Sequence, residues 1–241
     1  LVLAGLALLA MTTTPAFLRP HHFEQQKPQK ALWEDYRRVA GEKGAVTLFV
    51  VWLIDNIGVG AIGALAPFYA EYVLGRPDLV GALPGAYAVA GILSIPIWVR
   101  LSSMLGKKKT WLSAMVLGAG GFLLMYFAAE VVLLVFLALA LAGAAMGCGG
   151  VMSFAIMSDL VDRTERRTGV RYEGAFTAML GFSLKAGIAL ASALAGFMLS
   201  YIGFQANEVQ SADVLNSFRF FFVLFPVIGF SVGVLVLSFF F

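Results

Sequence analysis

Long apolar segments recur along the whole chain and are separated by short polar gaps. A helix needs about 20 apolar residues to cross the hydrocarbon core of a bilayer. Six segments reach or approach that length: 45–75, 80–99, 110–129, 131–157, 174–202 and 218–241. A transmembrane β-barrel would instead show segments of about ten residues with alternating polarity. The pattern therefore predicts an all-α, multi-pass membrane protein with six spanning helices.

The composition agrees with this prediction and excludes several other classes of protein. Of the 241 residues, 60% are apolar and 13% are charged, whereas soluble domains have about 45–50% and about 25%. The short gaps leave no room for a soluble catalytic domain. A single Cys148 and the adjacent His21 and His22 permit neither an intrachain disulfide nor a Cys/His metal cluster. We therefore expect no bound metal and no cofactor.

The basic residues predict the orientation in the membrane. Fourteen of the 17 lysine and arginine residues fall in three gaps on the same side of the predicted bundle, and cytoplasmic loops retain positive charge. The first complete helix therefore starts in the cytoplasm. The same distribution makes these residues determinants of topology, so that nucleic acid is not an expected partner despite the net charge of +3.

The chain divides into three parts. It begins with Leu1 inside an apolar run and ends on apolar residues, so we expect both ends to be truncations and residues 1–14 to be the end of an earlier spanning helix. Residues 15–44 form a cytoplasmic linker, in which 31–43 has the spacing of an amphipathic helix on the membrane surface; a solvated linker is the alternative. Residues 45–241 form the six-helix bundle.

Small residues recur inside the predicted spans. One face of the first complete span carries Asn56, Gly60, Gly63 and Pro67, and the fourth span carries Gly143, Gly147, Gly149 and Gly150. Small residues let helix backbones approach closely, and proline or glycine lets a helix bend. Any one glycine is explained by packing, but together they indicate helices that slide or bend, as in transporters.

Two ionisable residues lie deep in the predicted spans. Asp55 and Lys185 are ten or eleven residues from the cytoplasmic ends of their helices, which places both about 15–17 Å into the membrane. Ionisable residues at that depth are candidates for functional sites. A polar ligand could insert between them, with Trp52 as a stacking surface and Asn56 as an amide for a sugar. A permanently closed pair and two unrelated residues remain alternatives.

Charged residues are densest in 158–174, which we interpret as a cytoplasmic loop. Acids and arginines alternate along it, and a network of them could lock the ends of neighbouring helices and release them when the bundle rocks. The loop also resembles the acidic and arginine-containing motif before the eleventh helix in the glycoside, pentoside and hexuronide cation symporters of the major facilitator superfamily, which include melibiose permease. The matching residues are Asp159, Asp162, Glu165, Thr168, Gly169, Arg171, Glu173 and Gly174.

Other segments extend the resemblance: 72–75 after the seventh helix, 95–98 in the eighth and 106–109 after it. The register places Lys185 on helix eleven, where melibiose permease has a lysine implicated in its sugar site. The resemblance thus implies the carboxy-terminal half of a twelve-helix bundle, comprising helices seven to twelve, the central loop and the end of helix six. Two departures are Arg163 and Thr164, where the family often has a tyrosine and a second acid.

The resemblance implies a secondary active transporter in a bacterial inner membrane, which moves a sugar or glycoside with Na⁺ or H⁺ by alternating access. Lys185, Asp55, Trp52 and Asn56 would contribute to the substrate site. A cytoplasmic gate would comprise Asp159, Asp162, Glu165, Arg167, Thr168, Gly169, Arg171 and Glu173. The cation site would lie mostly on the missing amino-terminal half. A lysophospholipid transporter of the same fold, a non-transporting receptor and a polytopic membrane enzyme are the alternatives.

Overall fold

The computed structural model describes residues 32–128 and 131–240. The predicted end of a spanning helix at 1–14 and the first part of the linker lie outside the described residues. The described chain is helical, with elements α1 (Leu32–Ala40), α2 (Ala45–Phe68), α3 (Ala82–Leu105), α4 (Lys107–Phe127), α5 (Val132–Thr168), α6 (Glu173–Tyr201) and α7 (Ala212–Phe240). Helix α2 continues into a π-helical turn, Tyr69–Val73, and a 3₁₀ turn, Pro77–Leu79, precedes α3.

Helices α2 to α7 are six candidate membrane spans within the described residues, judged by length and composition. They correspond one to one with the six apolar segments, which confirms the predicted fold class. The short helix α1 lies within the amphipathic segment 31–43, although it ends at Ala40 rather than Lys43. The turn that follows it contains Gly44 in a left-handed conformation with φ of 91°.

One boundary was wrong in an informative way. The segment 158–174 is a loop only at 169–172, because α5 continues through Thr168 as a single helix of 37 residues. Gly169 ends it in a left-handed conformation with φ of 71°, and its amide donates to the carbonyl of Glu165, a common way to close a helix. Polarity marks where a span leaves the hydrocarbon, but a helix continues until its backbone is interrupted.

The helices pack in an interleaved order. The main contacts join α3 to α5, α2 to α6, α4 to α5, α2 to α7 and α4 to α7, whereas neighbours in sequence such as α5 and α6 touch little. The same set of pairs results when α2 is exchanged with α5, α3 with α6 and α4 with α7. Such an exchange symmetry is expected of two three-helix repeats. The packing therefore indicates two such repeats, α2 to α4 and α5 to α7.

Glycines let α3 and α5 touch backbone to backbone. A Cβ at Gly143 would overlap the carbonyl oxygen of Tyr87, and a Cβ at Gly147 would overlap that of Gly91. Ser94 and Trp98 of α3 both donate hydrogen bonds to the carbonyl of Ala144, at 3.1 and 2.7 Å. Close approach and interhelical hydrogen bonds are what hold helices together in lipid, so this seam stabilises the bundle.

We expect Gly143→Ala to lower the stability of the protein by about 1–3 kcal/mol, the usual range for overpacking, because the added methyl group meets the backbone of α3. Gly150→Ala is the matched control, since a Cβ there meets nothing within 4 Å. The measurement is the thermal unfolding midpoint of both variants in detergent. Equal midpoints for Gly143→Ala and wild type would contradict the role of this seam.

Candidate functional site

Asp55 lies buried where α2, α4 and α5 meet. Asp55 is 7% exposed, and the indole Nε1 of Trp111 on α4 donates a hydrogen bond to its Oδ2 at 2.8 Å. On the α5 side, a Cβ at Gly149 would overlap Oδ2. A residue without a side chain is therefore required opposite the carboxyl group. The carboxyl group is held between an indole and a bare stretch of helix backbone.

Trp52 and Asn56 are also buried in this structure. The side-chain amide of Asn56 donates to the backbone carbonyl of Trp52 at 2.7 Å, one turn earlier on α2. Asn56 packs against Gly187 of α6, whose missing side chain leaves room for it. Both residues are therefore covered in this packing, and α6 covers Asn56.

Lys185 is separated from these three residues. It lies on an exposed face of α6, whereas Ser183 and Gly187 on the same helix are buried. Among the ion pairs of the described residues, none joins Lys185 to Asp55. Asp55 therefore faces α4 and α5 and Asn56 faces α6, although the two residues are adjacent on α2. The lysine lies on the outer surface of this bundle.

The other predicted cluster forms at the end of the bundle that contains α1, the start of α4 and the junction of α5 and α6, here called the basic end. Arg171 is at its centre and pairs with three carboxylates: Asp162 at 3.2 Å, Glu165 at 2.8 Å and Glu173 at 2.8 Å. Hydrogen bonds from Arg171 to Glu173 and Glu165 raise the pKa of the guanidinium above its ordinary value. Arg171 thus connects the last turns of α5 to the first turn of α6.

The remaining residues of the predicted gate extend this network. Asp159 accepts a hydrogen bond from Lys107 at 2.6 Å, and Lys107 also donates to the carbonyl of Ala155. The start of α4 is therefore tied to α5. Thr168 donates to the carbonyl of Thr164 at 2.8 Å and closes the last turn of α5.

Glu42 is a functional candidate that the sequence analysis did not identify. It is 4% exposed, in the turn between α1 and α2, and its carboxylate pairs with Arg167 and, at 3.9 Å, with Arg163. Arg38 of α1 also donates to the hydroxyl of Tyr172 at 3.2 Å. The only sequence signal was an acid in a basic stretch, and nothing local indicated that α5 would cover it.

A polar cleft opens beside these arginines. It has a volume of about 490 Å³ and is lined by Asp159, Arg163, Arg166 and Arg167. Most of its charged side chains are cations, so the cleft suits acidic groups from outside this bundle. No group of three or more histidine, cysteine, aspartate or glutamate residues that could hold a metal ion occurs in the described part of the chain.

A profile of the MFS/sugar transport protein family, where MFS denotes the major facilitator superfamily, matches residues 1–241. A putative 2,3-dihydroxypropane-1-sulfonate exporter of Salmonella typhimurium is 32% identical over 212 residues, which cover 84% of this chain and 44% of the relative. A glucuronide carrier protein homolog of Escherichia coli is 33% identical, covering 70% of this chain and 38% of the relative. An isoprimeverose transporter of Lactiplantibacillus pentosus is 28% identical, covering 80% and 40%.

Six apolar helices of membrane-spanning length, packed in a bundle with exchange symmetry, indicate a multi-pass membrane protein. The chain belongs to the MFS/sugar transport protein family. This confirms the resemblance to the sugar transporters of the major facilitator superfamily. The chain spans about two-fifths of the length of the curated relatives it matches.

Glu42→Gln is expected to destabilise the basic end by about 1–3 kcal/mol, the range for a buried polar group that loses its partner, because the two arginines lose their shared carboxylate. Glu34→Gln makes the same change on the exposed face of α1 and is expected to have no effect. The measurement is the thermal unfolding midpoint at low and high salt. A midpoint for Glu42→Gln equal to that of Glu34→Gln would rule out this contribution.

Proposed function

We propose that the complete protein is a secondary active transporter that carries a sugar or glycoside with Na⁺ or H⁺ by alternating access. The observation that carries the proposal is the family match together with relatives named as a glucuronide carrier and an isoprimeverose transporter. Because the chain spans about two-fifths of those relatives, we expect a second helical bundle in the complete protein. The substrate would bind between the two bundles.

The exposure of the helices supports this arrangement. Helices α3 and α6 occupy equivalent places in the two repeats. They are the least buried spans, because only 22% and 28% of the residues in their most apolar stretches are buried. Apolar faces left uncovered on a bundle are expected to meet lipid or another bundle. A second bundle on these faces would enclose a cavity that alternates between the two sides of the membrane as the bundles rock.

Lys185 is the residue of this chain that we place in the substrate cavity. It lies on the exposed face of α6, where its ammonium group could bind sugar hydroxyls or an anionic group. A glucuronide has a carboxylate and 2,3-dihydroxypropane-1-sulfonate has a sulfonate, so two of the relatives' named substrates offer a negative charge. Trp52 and Asn56 would reach the cavity only when α2 and α6 separate.

The basic end would serve as the cytoplasmic gate. Its ion pairs within this chain join the turn between α1 and α2, the start of α4, the end of α5 and the start of α6, and so make these parts move together. The cleft lined by Arg163, Arg166 and Arg167 leaves cationic groups available to acids of the second bundle. Closure would form those pairs and opening would release them.

The test is uptake by vesicles that contain the complete protein, under an imposed sodium or proton gradient. The labelled panel comprises a glucuronide, isoprimeverose, 2,3-dihydroxypropane-1-sulfonate and a lysophospholipid. We expect gradient-dependent accumulation of a sugar or glycoside. Transport of the lysophospholipid alone would show that the substrate is a lipid and not a sugar. Binding of a sugar without net flux would indicate a receptor.

Lys185→Ala is expected to raise KM for the accumulated substrate by about 10- to 100-fold, because a hydrogen bond to a charged group contributes about 1.5–3 kcal/mol. Arg76→Ala removes an exposed cation from the turn between α2 and α3 and is the control. Both are measured as initial rates of uptake at several substrate concentrations. Unchanged KM in Lys185→Ala would remove this residue from the substrate site.

A further inference from the structure

We propose that the groove between α4 and α7 binds one membrane phospholipid, with an acyl chain in the groove and the phosphate of the headgroup on Arg219. The groove reaches the last residue of α4 and so lies toward the end of the bundle opposite the basic end. The proposal goes beyond the transport function above, because it assigns a different ligand to a different surface.

The groove runs between the last turns of α4 and the first half of α7, and its volume is about 280 Å³. Leu123, Tyr126 and Phe127 of α4 form one wall, Phe220 and Leu224 of α7 form the other, and two valines of α7 complete the lining. The three residues of α4 and Phe220 are exposed. An open apolar groove of this kind marks a surface that meets a membrane or an apolar ligand, and hydrocarbon is suited to it.

The groove faces away from the surfaces assigned to the second bundle. Helices α4 and α7 contact each other and the first helices of the two repeats, α5 and α2, but they have few contacts with α3 and α6. The second bundle was placed on α3 and α6. On the remaining side of a membrane-spanning bundle, lipid tails are the surrounding medium. We therefore choose a lipid as the occupant of the groove.

Arg219 provides a cation at the end of the groove nearest the membrane surface. It is the second residue of the apolar segment 218–241 and therefore lies where hydrocarbon meets headgroups. Val223, the most buried residue of the groove at 5% exposure, follows one turn later. Arg219 is also an electrostatic neighbour of Tyr69, whose hydroxyl donates to the carbonyl of Met125 at 3.4 Å. Arg219 thus lies near the junction of α2, α4 and α7.

No acid of the described residues forms an ion pair with Arg219. Its Nε is buried without a hydrogen-bond partner. Asp78, at the same end of the bundle, pairs with Arg76 instead. The other described acids at this end are exposed: Glu71, Glu208 and Asp213. A buried donor without an acceptor is unfavourable, so an acceptor from outside the chain would stabilise this arginine.

The groove and the arginine together define the chemistry of the ligand. Arginine binds phosphate oxygens through parallel hydrogen bonds. Arg219 is half-buried, and a side chain of this length can turn its guanidinium toward the membrane surface. Free phosphate would leave the groove uncovered, and an uncharged diacylglycerol would leave Arg219 without an anion. A phospholipid satisfies both, and it surrounds the bundle in the membrane.

The test counts phospholipids bound to the complete protein, purified in detergent and freed of lipid, by native mass spectrometry during titration with phosphatidylglycerol. We expect wild type to bind one molecule more tightly than any further ones. Arg219→Gln is expected to raise the Kd of that molecule by about 10- to 100-fold, the factor for a lost hydrogen bond to a charged group. Arg76→Gln removes an exposed cation at the same end and is the matched control.

A second variant leaves the arginine in place. Leu224→Trp fills the groove with a larger side chain and is expected to weaken the same binding, whereas Val232→Trp, exposed on α7 outside the groove, is its control. Phosphatidylglycerol is also expected to raise the thermal unfolding midpoint of wild type and of both controls more than that of the two groove variants, because a ligand stabilises the folded state it binds. This comparison within each variant separates lost binding from a folding defect.

Four results would overturn the proposal. Equal binding by wild type, Arg219→Gln and Leu224→Trp would show that lipid binds elsewhere. Equally tight binding of diacylglycerol would remove Arg219 from the site, and equally tight binding of glycerol phosphate would remove the groove. A dimer in detergent that Leu224→Trp dissociates would assign the groove to a second copy of the chain. Lipid binding is measured without transport, so the failure of either proposal is visible separately.

Discussion

Close approach of helix backbones at glycine determines most of this structure. Lipid gives helices no hydrophobic reason to associate, so packing distance and interhelical hydrogen bonds have to hold the bundle together. Gly143 and Gly147 bring α5 against the carbonyl groups of α3, and Gly187 brings α6 against the carbonyl of Leu53 on α2. The same kind of contact at Gly149 sets the surroundings of Asp55. The interfaces that stabilise the bundle thus also enclose the carboxyl group of Asp55 between α2, α4 and α5.

The fold was predictable because it depends on a signal that is local in sequence. A run of apolar residues long enough to cross a bilayer forms a helix there, since every backbone polar group must be paired within the segment. Where the helix continues into water, that constraint no longer applies. Residues 158–168 are polar and helical at once, so hydropathy placed the end of α5 about three turns too early. Only Gly169, with its left-handed backbone, marks the true end.

For the candidate site, the sequence predicts a depth but not a direction. Residue count gave the level of Asp55 and Lys185 in the membrane, because each helical residue rises by a fixed 1.5 Å. Which way each side chain faces depends on the rotation of α2 and α6, and contacts far away in sequence fix that rotation. Asp55 meets Trp111 and Gly149, which local spacing could not reveal. The burial of Glu42 under Arg167 is a second case, since 125 residues separate the partners.

The separation of Asp55 from Lys185 has a physical consequence for any transport cycle. An aspartate neutralised by a permanent lysine partner would gain little from exchanging a proton, because the pair is already balanced. Here the described residues place no cation within ion-pair distance of Asp55, and Lys185 lies on an exposed face of α6. Lys185 is therefore accessible to groups from outside this bundle, whereas Asp55 is enclosed by its own helices. Asp55 faces α4 and α5, so that a separation of α2 from α6 would uncover Asn56 and would leave the hydrogen bond between Trp111 and Asp55 in place.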